Sequence, residues 1–302
     1  MTPHSMRLPL KTLSLLAALL CLLTACSALH RRGQPRPGAA ASRLKPVPPK
    51  PGEPINPEGL IGYFELQSSN LWRQARLNTN LLKQPLPASC ALRTAPAPAR
   101  ALAPEEMAGA VESGVVVIGG IVSIRGVPQL SLTATGFFLT ESGALATCWH
   151  VVDTLGHAGL TVLTRDGQVF PVSKVLAVNT NSDLAILQVE GRGFTPLPVA
   201  ATTPPTGSPV WVLGHPFPWY YMLTSGIVSG DYSIGQGPSE LRFLSITADF
   251  ANGSSGSPVL NQSGAVVAVA KFRHDAGIPG TPHMFAKGCV PSSLLLNMIK
   301  PE

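Results

Sequence analysis

The sequence predicts an all-β domain over residues 104–302, preceded by a leader and linkers. Three observations carry this expectation. From Gly114 onward the chain is a succession of short runs rich in Val, Ile, Leu and Thr, residue types that suit a pleated, half-buried surface. Turn-forming triplets such as ESG, RDG and QSG separate several of these runs, and many short strands at this spacing indicate a sandwich or barrel. The chain has 302 residues, 45% of them hydrophobic and 13% charged, which is ample for one domain of about 200 residues with a real core.

In chain order, PEEMAGAVES (residues 104–113) suits a short helix. The strand candidates then follow: GVVVIGGIVSI, LSLTATGFFLT, GALATC, LTVLT, QVFPVSKVLAV, DLAILQV, SPVWVLG, MLTSGIVSG, LRFLSIT, SPVLN and GAVVAVAKF. The last ten or so residues, PSSLLLNMIK, read as a helix. Ser292 or Ser293 can cap it, and Leu294, Leu295, Met298 and Ile299 share one apolar face.

The first hundred residues are of a different kind. Arg7 and Lys11 precede an apolar run from Leu13 to Leu23 and then small residues, the pattern of a secretory signal over residues 1–25 and too short to span a membrane with assurance. Leu23–Cys26, LTAC, resembles a bacterial lipobox, whose cysteine is lipidated and becomes the first residue of the mature chain. The competing expectation is cleavage near Ala28 and release. Residues 26–57 are Pro-rich and suit a semi-rigid spacer. Residues 58–103 combine a stretch of helical potential, NLWRQARLNTNLLK, with a second Pro/Ala-rich linker.

Charge follows this division. Residues 1–103 carry 13 Lys/Arg against 3 Asp/Glu, whereas residues 104–302 carry 9 against 13. The overall charge of +6 therefore belongs to the leader and linkers. A basic segment beside an anchor suits anionic lipid better than nucleic acid. Setting aside Cys21 and Cys26, three cysteines remain, Cys90, Cys148 and Cys289, whose pairing spacing does not reveal. Cys148 lies in an apolar run and reads as a small buried hydrophobe. No CxxC or Cys/His spacing argues for a metal, and no cofactor is expected.

One short stretch carries chemistry. ANGSSGSPVL (residues 251–260) holds Ser254, Ser255 and Ser257 among glycines, a composition that by itself indicates a turn. Upstream, His150 follows the strand candidate GALATC, and Asp183 opens DLAILQV. A serine hydroxyl becomes a nucleophile when a neutral imidazole takes its proton and a carboxylate holds that imidazole. The small residues around Ser255 allow the amides of Gly253 and Ser255 to face an oxyanion. The G-x-S-x-G elbow of α/β-hydrolases does not fit, because Ser255 is followed by the strand-like PVLNQSGAVVAVA rather than a helix. Asp153 suits local capping and His215 a structural role. Asp249, six residues before Ser255, suits either a hydrogen-bonded loop carboxylate or the base of a pocket selecting Lys or Arg.

Taken in order, TGFFLTESGALATCWHVV, NSDLAILQV, WVLGHPF, LTSGIVSG, ITADFANGSSGSPVLNQSGAVVAV and MFAKGCVPSSLLLNMI resemble the motifs of trypsin-like serine endopeptidases of the HtrA (Deg) type. The resemblance runs from about Gly114 to Ile299. It implies a chymotrypsin/trypsin-like double β-barrel with a short C-terminal helix, two six-stranded antiparallel barrels packed face to face. It places His150 and Asp183 on the first barrel and Ser255 on the second, as the triad of a peptidase acting through an acyl-enzyme on protein or peptide substrates. Two departures stand out: Ser254 and Ser257 replace the Asn and second Gly of the family's GNSGGP loop. The 47 residues after Ser255 suffice to finish a barrel and a helix, so a PDZ domain is not expected. With the lipobox, the resemblance implies a lipid-tethered protein of the cell envelope. A module that binds extended peptides without cleaving them is the alternative that the altered loop leaves open.

Overall fold

The computed structural model describes residues 46–301 apart from 51, 97–99, 156–158, 236, 238–239 and 276–284. The leader and Cys26 lie outside the described residues.

Two closed, six-stranded antiparallel barrels form the body of the chain, so the all-β, chymotrypsin/trypsin-like expectation holds. The first is built from β2 (Val115–Ile124), β3 (Val127–Phe138), β4 (Ala144–Cys148), β5 (Leu160–Leu163), β6 (Val169–Asn179) and β7 (Leu184–Val189), in the order β2-β3-β4-β7-β6-β5. The second contains β8 (Pro209–Gly214), β9 (Met222–Ile234), β10 (Leu241–Ile246), β11 (Pro258–Leu260), β12 (Val266–Asp275) and β13 (Phe285–Pro291), in the order β10-β13-β12-β11-β8-β9. Closure leaves neither barrel with an edge strand among the described residues. β4 is buried at all five positions, whereas the outer half of β9 lies exposed.

One buried apolar cluster runs from the first barrel into the second, which also has a separate core of its own around Val210, Val228, Leu244, Ile246 and Val259. Val115, Phe137, Leu145 and Leu187 from the first belong to the same buried cluster as Trp211, Leu260, Val269 and Val290 from the second. The connection between them is clipped at both ends: Leu197 N donates to Phe138 O (2.8 Å), and Ala200 N donates to Val266 O (2.8 Å).

The Pro-rich stretch ends against the first barrel. Pro49 is buried, and the Lys50 carbonyl accepts from Arg165 Nη1 (3.0 Å). Asn56 then caps α1 (Pro57–Arg73) through a bond from Gly59 N to its side chain (2.9 Å), with Pro57 at the first helical position. Leu60, Phe64 and Leu71 of α1 join Val117, Ile121, Leu130 and Leu163 of the barrel wall in a separate buried cluster, which also takes in Tyr220. PEEMAGAVES forms α2 (Met107–Val111) between short 3₁₀ turns.

The end of the chain departs from expectation. Helix α4 covers only Ser292–Leu296, and neither serine caps it; Ser292 Oγ donates to Ala200 O (2.7 Å) instead. The following backbone is taken by a parallel pairing of β14 (Ile299–Lys300) with β1 (Cys90–Ala91). That ladder, with Cys90 N donating to Met298 O (2.9 Å), requires an extended chain where the periodicity suggests helix.

Candidate active site

Asp183 organises the first half of the site. It sits at the entrance to β7 with φ +60, a left-handed conformation that Asp tolerates better than most residues. A turn before it, in which Ser182 N donates to Asn179 Oδ1 (3.0 Å), supports the bend. Three bonds run from Asp183 to helix α3 (Trp149–Leu155): Trp149 N donates to Asp183 O (3.0 Å), His150 N to Oδ1 (2.8 Å), and the ring Nδ1 of His150 lies 2.8 Å from Oδ2. The backbone and the ring of His150 are thus held by the same carboxylate, which is itself buried. The other ring nitrogen, Nε2, lies 3.0 Å from Ser255 Oγ. With Nδ1 facing a carboxylate, the neutral ring carries its proton there and offers Nε2 as the acceptor.

Among the three serines, the structure separates one from the others. Ser254 and Ser257 are buried, and their hydroxyls have no hydrogen-bond partner among the described residues. The loop is tied to the first barrel through Thr135, whose N–H donates to Ser255 O (3.0 Å) and whose Oγ1 donates to Gly253 O (2.9 Å). Two glycines are required. Gly253 has φ +100, and a Cβ there would lie 2.3 Å from His215 O; Gly256 has φ +88, and a Cβ would lie 2.1 Å from Thr135 O. A side chain at either position would push the loop off its seat.

His215, expected as structural, forms part of that seat. It is fully buried, with its N–H on Thr135 Oγ1 (3.2 Å) and its Nδ1 accepting from Tyr221 N (3.0 Å). The proton of the neutral ring therefore sits on Nε2, which makes no well-formed hydrogen bond among the described residues. Burial pushes this imidazole down to about 3, against a smaller upward pull from the Val116 backbone.

Two features escape the sequence reading. Lys271 Nζ lies 3.9 Å from Asp183 Oδ2; a single Lys in the apolar run GAVVAVAKF is the signal that marks it. Thr135, in TATGFF, carries no signal, because its role arises from contacts across 118 residues. Asp249 lies at the surface with its side chain 84% exposed, ion-paired to the Lys287 ammonium. Asp153 is exposed on α3. The Cys148 thiol, His150 ring and Asp183 carboxylate gather within 4.8 Å of one another. Burial raises the Cys148 thiol well above its ordinary range, and Sγ lies 3.3 Å from Ala270 O. Such a protonated thiol is a poor metal ligand. Cys90 and Cys289 are free thiols as well.

Residues 134–269, which include His150, Asp183 and Ser255, match the family described as Trypsin-like peptidase domain. The chain is 28% identical over 158 residues to "Serine protease HTRA2, mitochondrial" of Drosophila pseudoobscura pseudoobscura and of Drosophila persimilis, and 27% identical to that of Drosophila erecta. Each likeness covers 51% of this chain and 37% of the relative, so the chain spans little more than a third of the length of these curated relatives.

The buried His215 predicts an acid-sensitive fold. Between about pH 6.5 and 3 the unfolded chain binds a proton at this position that the folded chain does not, so stability falls as pH is lowered. The contribution approaches about 1.4 kcal/mol per pH unit at full linkage. Urea unfolding at pH 7, 5 and 4 should show a steeper loss in the wild type than in His215→Gln. Parallel losses in the two proteins would contradict the assignment.

Proposed function

We propose that this chain is a serine endopeptidase working through Ser255, His150 and Asp183. The observation that carries the reading is the unbroken series from Ser255 Oγ to His150 Nε2 (3.0 Å) and from His150 Nδ1 to Asp183 Oδ2 (2.8 Å) at the junction of two barrels. The likeness of residues 134–269 to trypsin-like peptidase domains, and of the chain to a serine protease, supports it.

The chemistry follows from the geometry. As Ser255 Oγ attacks a peptide carbonyl, His150 Nε2 takes its proton and Asp183 stabilises the imidazolium that forms. The amides of Gly253 and Ser255 are the candidates to hold the negative oxygen of the tetrahedral intermediate. His150 then passes the proton to the departing amine, leaving an acyl group on Ser255. Water, activated by the same nitrogen, releases the acid. Asp249, exposed and neutralised by Lys287, fits an ion-pairing role better than the selection of Lys or Arg substrates.

Cys26, behind LTA and an apolar run, is proposed to carry a lipid that tethers the peptidase to a membrane of the cell envelope, where proteins or peptides are its substrates. Cells fed labelled palmitate should label the wild type and not Cys26→Ala. An unlabelled wild type would remove the anchor without touching the peptidase.

Substitution of the three serines tests the reaction. Ser255→Ala should lower turnover of an unstructured protein substrate by about 10⁴-fold or more while leaving the fold intact. Ser254→Ala and Ser257→Ala should retain most activity, and removing their unsatisfied buried hydroxyls should be neutral or mildly stabilising. Hydrolysis that survives Ser255→Ala, or peptide binding without hydrolysis in the wild type, would overturn the proposal.

A further inference from the structure

The loop that carries Gly253 and Ser255 is seated from behind by residues that no part of the proposed chemistry uses. His215, whose carbonyl lies so close to Gly253 that a Cβ would meet it at 2.3 Å, is itself fixed by Tyr221, whose N–H donates to His215 Nδ1 (3.0 Å). The two rings meet edge to face, with centroids 4.6 Å apart. Tyr221 is held in an unfavourable conformation, with φ +56. An aromatic residue occupies that region only when its surroundings impose it. The next backbone link, from Phe217 N to Asn252 O (2.8 Å), ties the same loop to the chain directly before Gly253.

Tyr221 is held at its hydroxyl, which donates to Val115 O (3.4 Å), and at its ring by Arg165. The Arg165 guanidinium carbon lies 5.4 Å from the centre of the Tyr221 ring, within the range of a cation–π contact and strengthened by desolvation. Arg165 is 7% exposed, and its other bonds point away from the site: Nε donates to Glu112 Oε2 (3.0 Å) and Nη1 to the carbonyl of Lys50 (3.0 Å). Tyr220, beside Tyr221, is buried in the cluster made by Leu60, Phe64 and Leu71 of α1. The segment preceding the barrels therefore reaches the Ser255 loop along one continuous path, from Lys50 through Arg165, Tyr221 and His215 to Gly253.

The geometry points to Arg165 and Tyr221 as positioning residues that hold the Gly253–Ser255 amides in place, with the Lys50 carbonyl as the far anchor of the path. The inference rests on the peptidase reading. Losing the Arg165 clamp lets Tyr221 relax to negative φ, withdraws its N–H from His215 and unseats the carbonyl against which Gly253 rests. The reaction then loses oxyanion contacts that develop only in the transition state, so the effect falls on kcat rather than on KM.

The test compares full-length wild type with Arg165→Met, Arg165→Lys, Tyr221→Leu and the Arg165→Met/Tyr221→Leu double variant, and uses Arg242→Met, which breaks an exposed ion pair, as control. All are assayed well below their melting temperatures, with reactive sites counted by stoichiometric fluorophosphonate labelling. Arg165→Met and Tyr221→Leu should each lower kcat per labelled site by about 10- to 100-fold with KM changed less than about threefold. Arg165→Lys should recover part of the loss. The double variant should be no worse than the poorer single one, since both break one path. A merely structural role predicts fewer labelled sites that each turn over at the wild-type rate, and that result overturns the inference. So do unchanged kcat values in an active wild type, or full additivity in the double variant. A wild type that neither cleaves protein nor reacts with the fluorophosphonate overturns the peptidase reading, and this inference with it.

Discussion

The site depends on one buried carboxylate. Asp183 uses one oxygen on the backbone of His150, the other on its ring, and its own carbonyl on Trp149. A carboxylate left unpaired in this setting would be costly, and its two bonds to His150 offset that cost. This brings β7 and the start of α3 into a single geometry, and it turns Nε2 toward Ser255. Lys271, 3.9 Å from the same carboxylate, adds a positive charge from the second barrel. Asp183 is thus also a contact between the two halves of the fold.

The second half of the site is governed by close approach rather than charge. Gly253 and Gly256 have no room for a side chain because the loop lies directly on His215 O and Thr135 O. Thr135 binds the loop twice and His215 once. The serine therefore reaches the imidazole because the second barrel's loop is laid onto the first barrel's wall. Buried polar groups joined in this way specify one arrangement, since any slip leaves several of them unsatisfied.

Much of this was legible in the sequence. Short β-branched runs and turn triplets announced the sheets, and His150, Asp183 and Ser255 could be singled out because each closes or opens such a run. The short helix α3 around His150 was not legible, because Trp149–Leu155 follows a strand without a cap signal. The last strand was missed because its partner, Cys90–Ala91, lies about two hundred residues earlier, and the apolar period there suits a helix equally well. The seat formed by Thr135, His215, Tyr221 and Arg165 was hidden for the same reason. Its members are ordinary residues until the barrels close, and the helical stretch read at residues 70–83 overlaps α1 only at Asn70–Arg73.

The central claim is that the hydrogen-bonded series makes Ser255 an activated nucleophile, and adduct mapping tests it most directly. Native protein is treated with a fluorophosphonate, and the modified residue is located by tandem mass spectrometry, in parallel with Asp183→Asn. One adduct is expected, on Ser255, formed at least about 10³-fold more slowly when Asp183 no longer fixes the imidazole. No adduct in the wild type, an adduct on Ser254 or Ser257, or equal rates in the two proteins would contradict it.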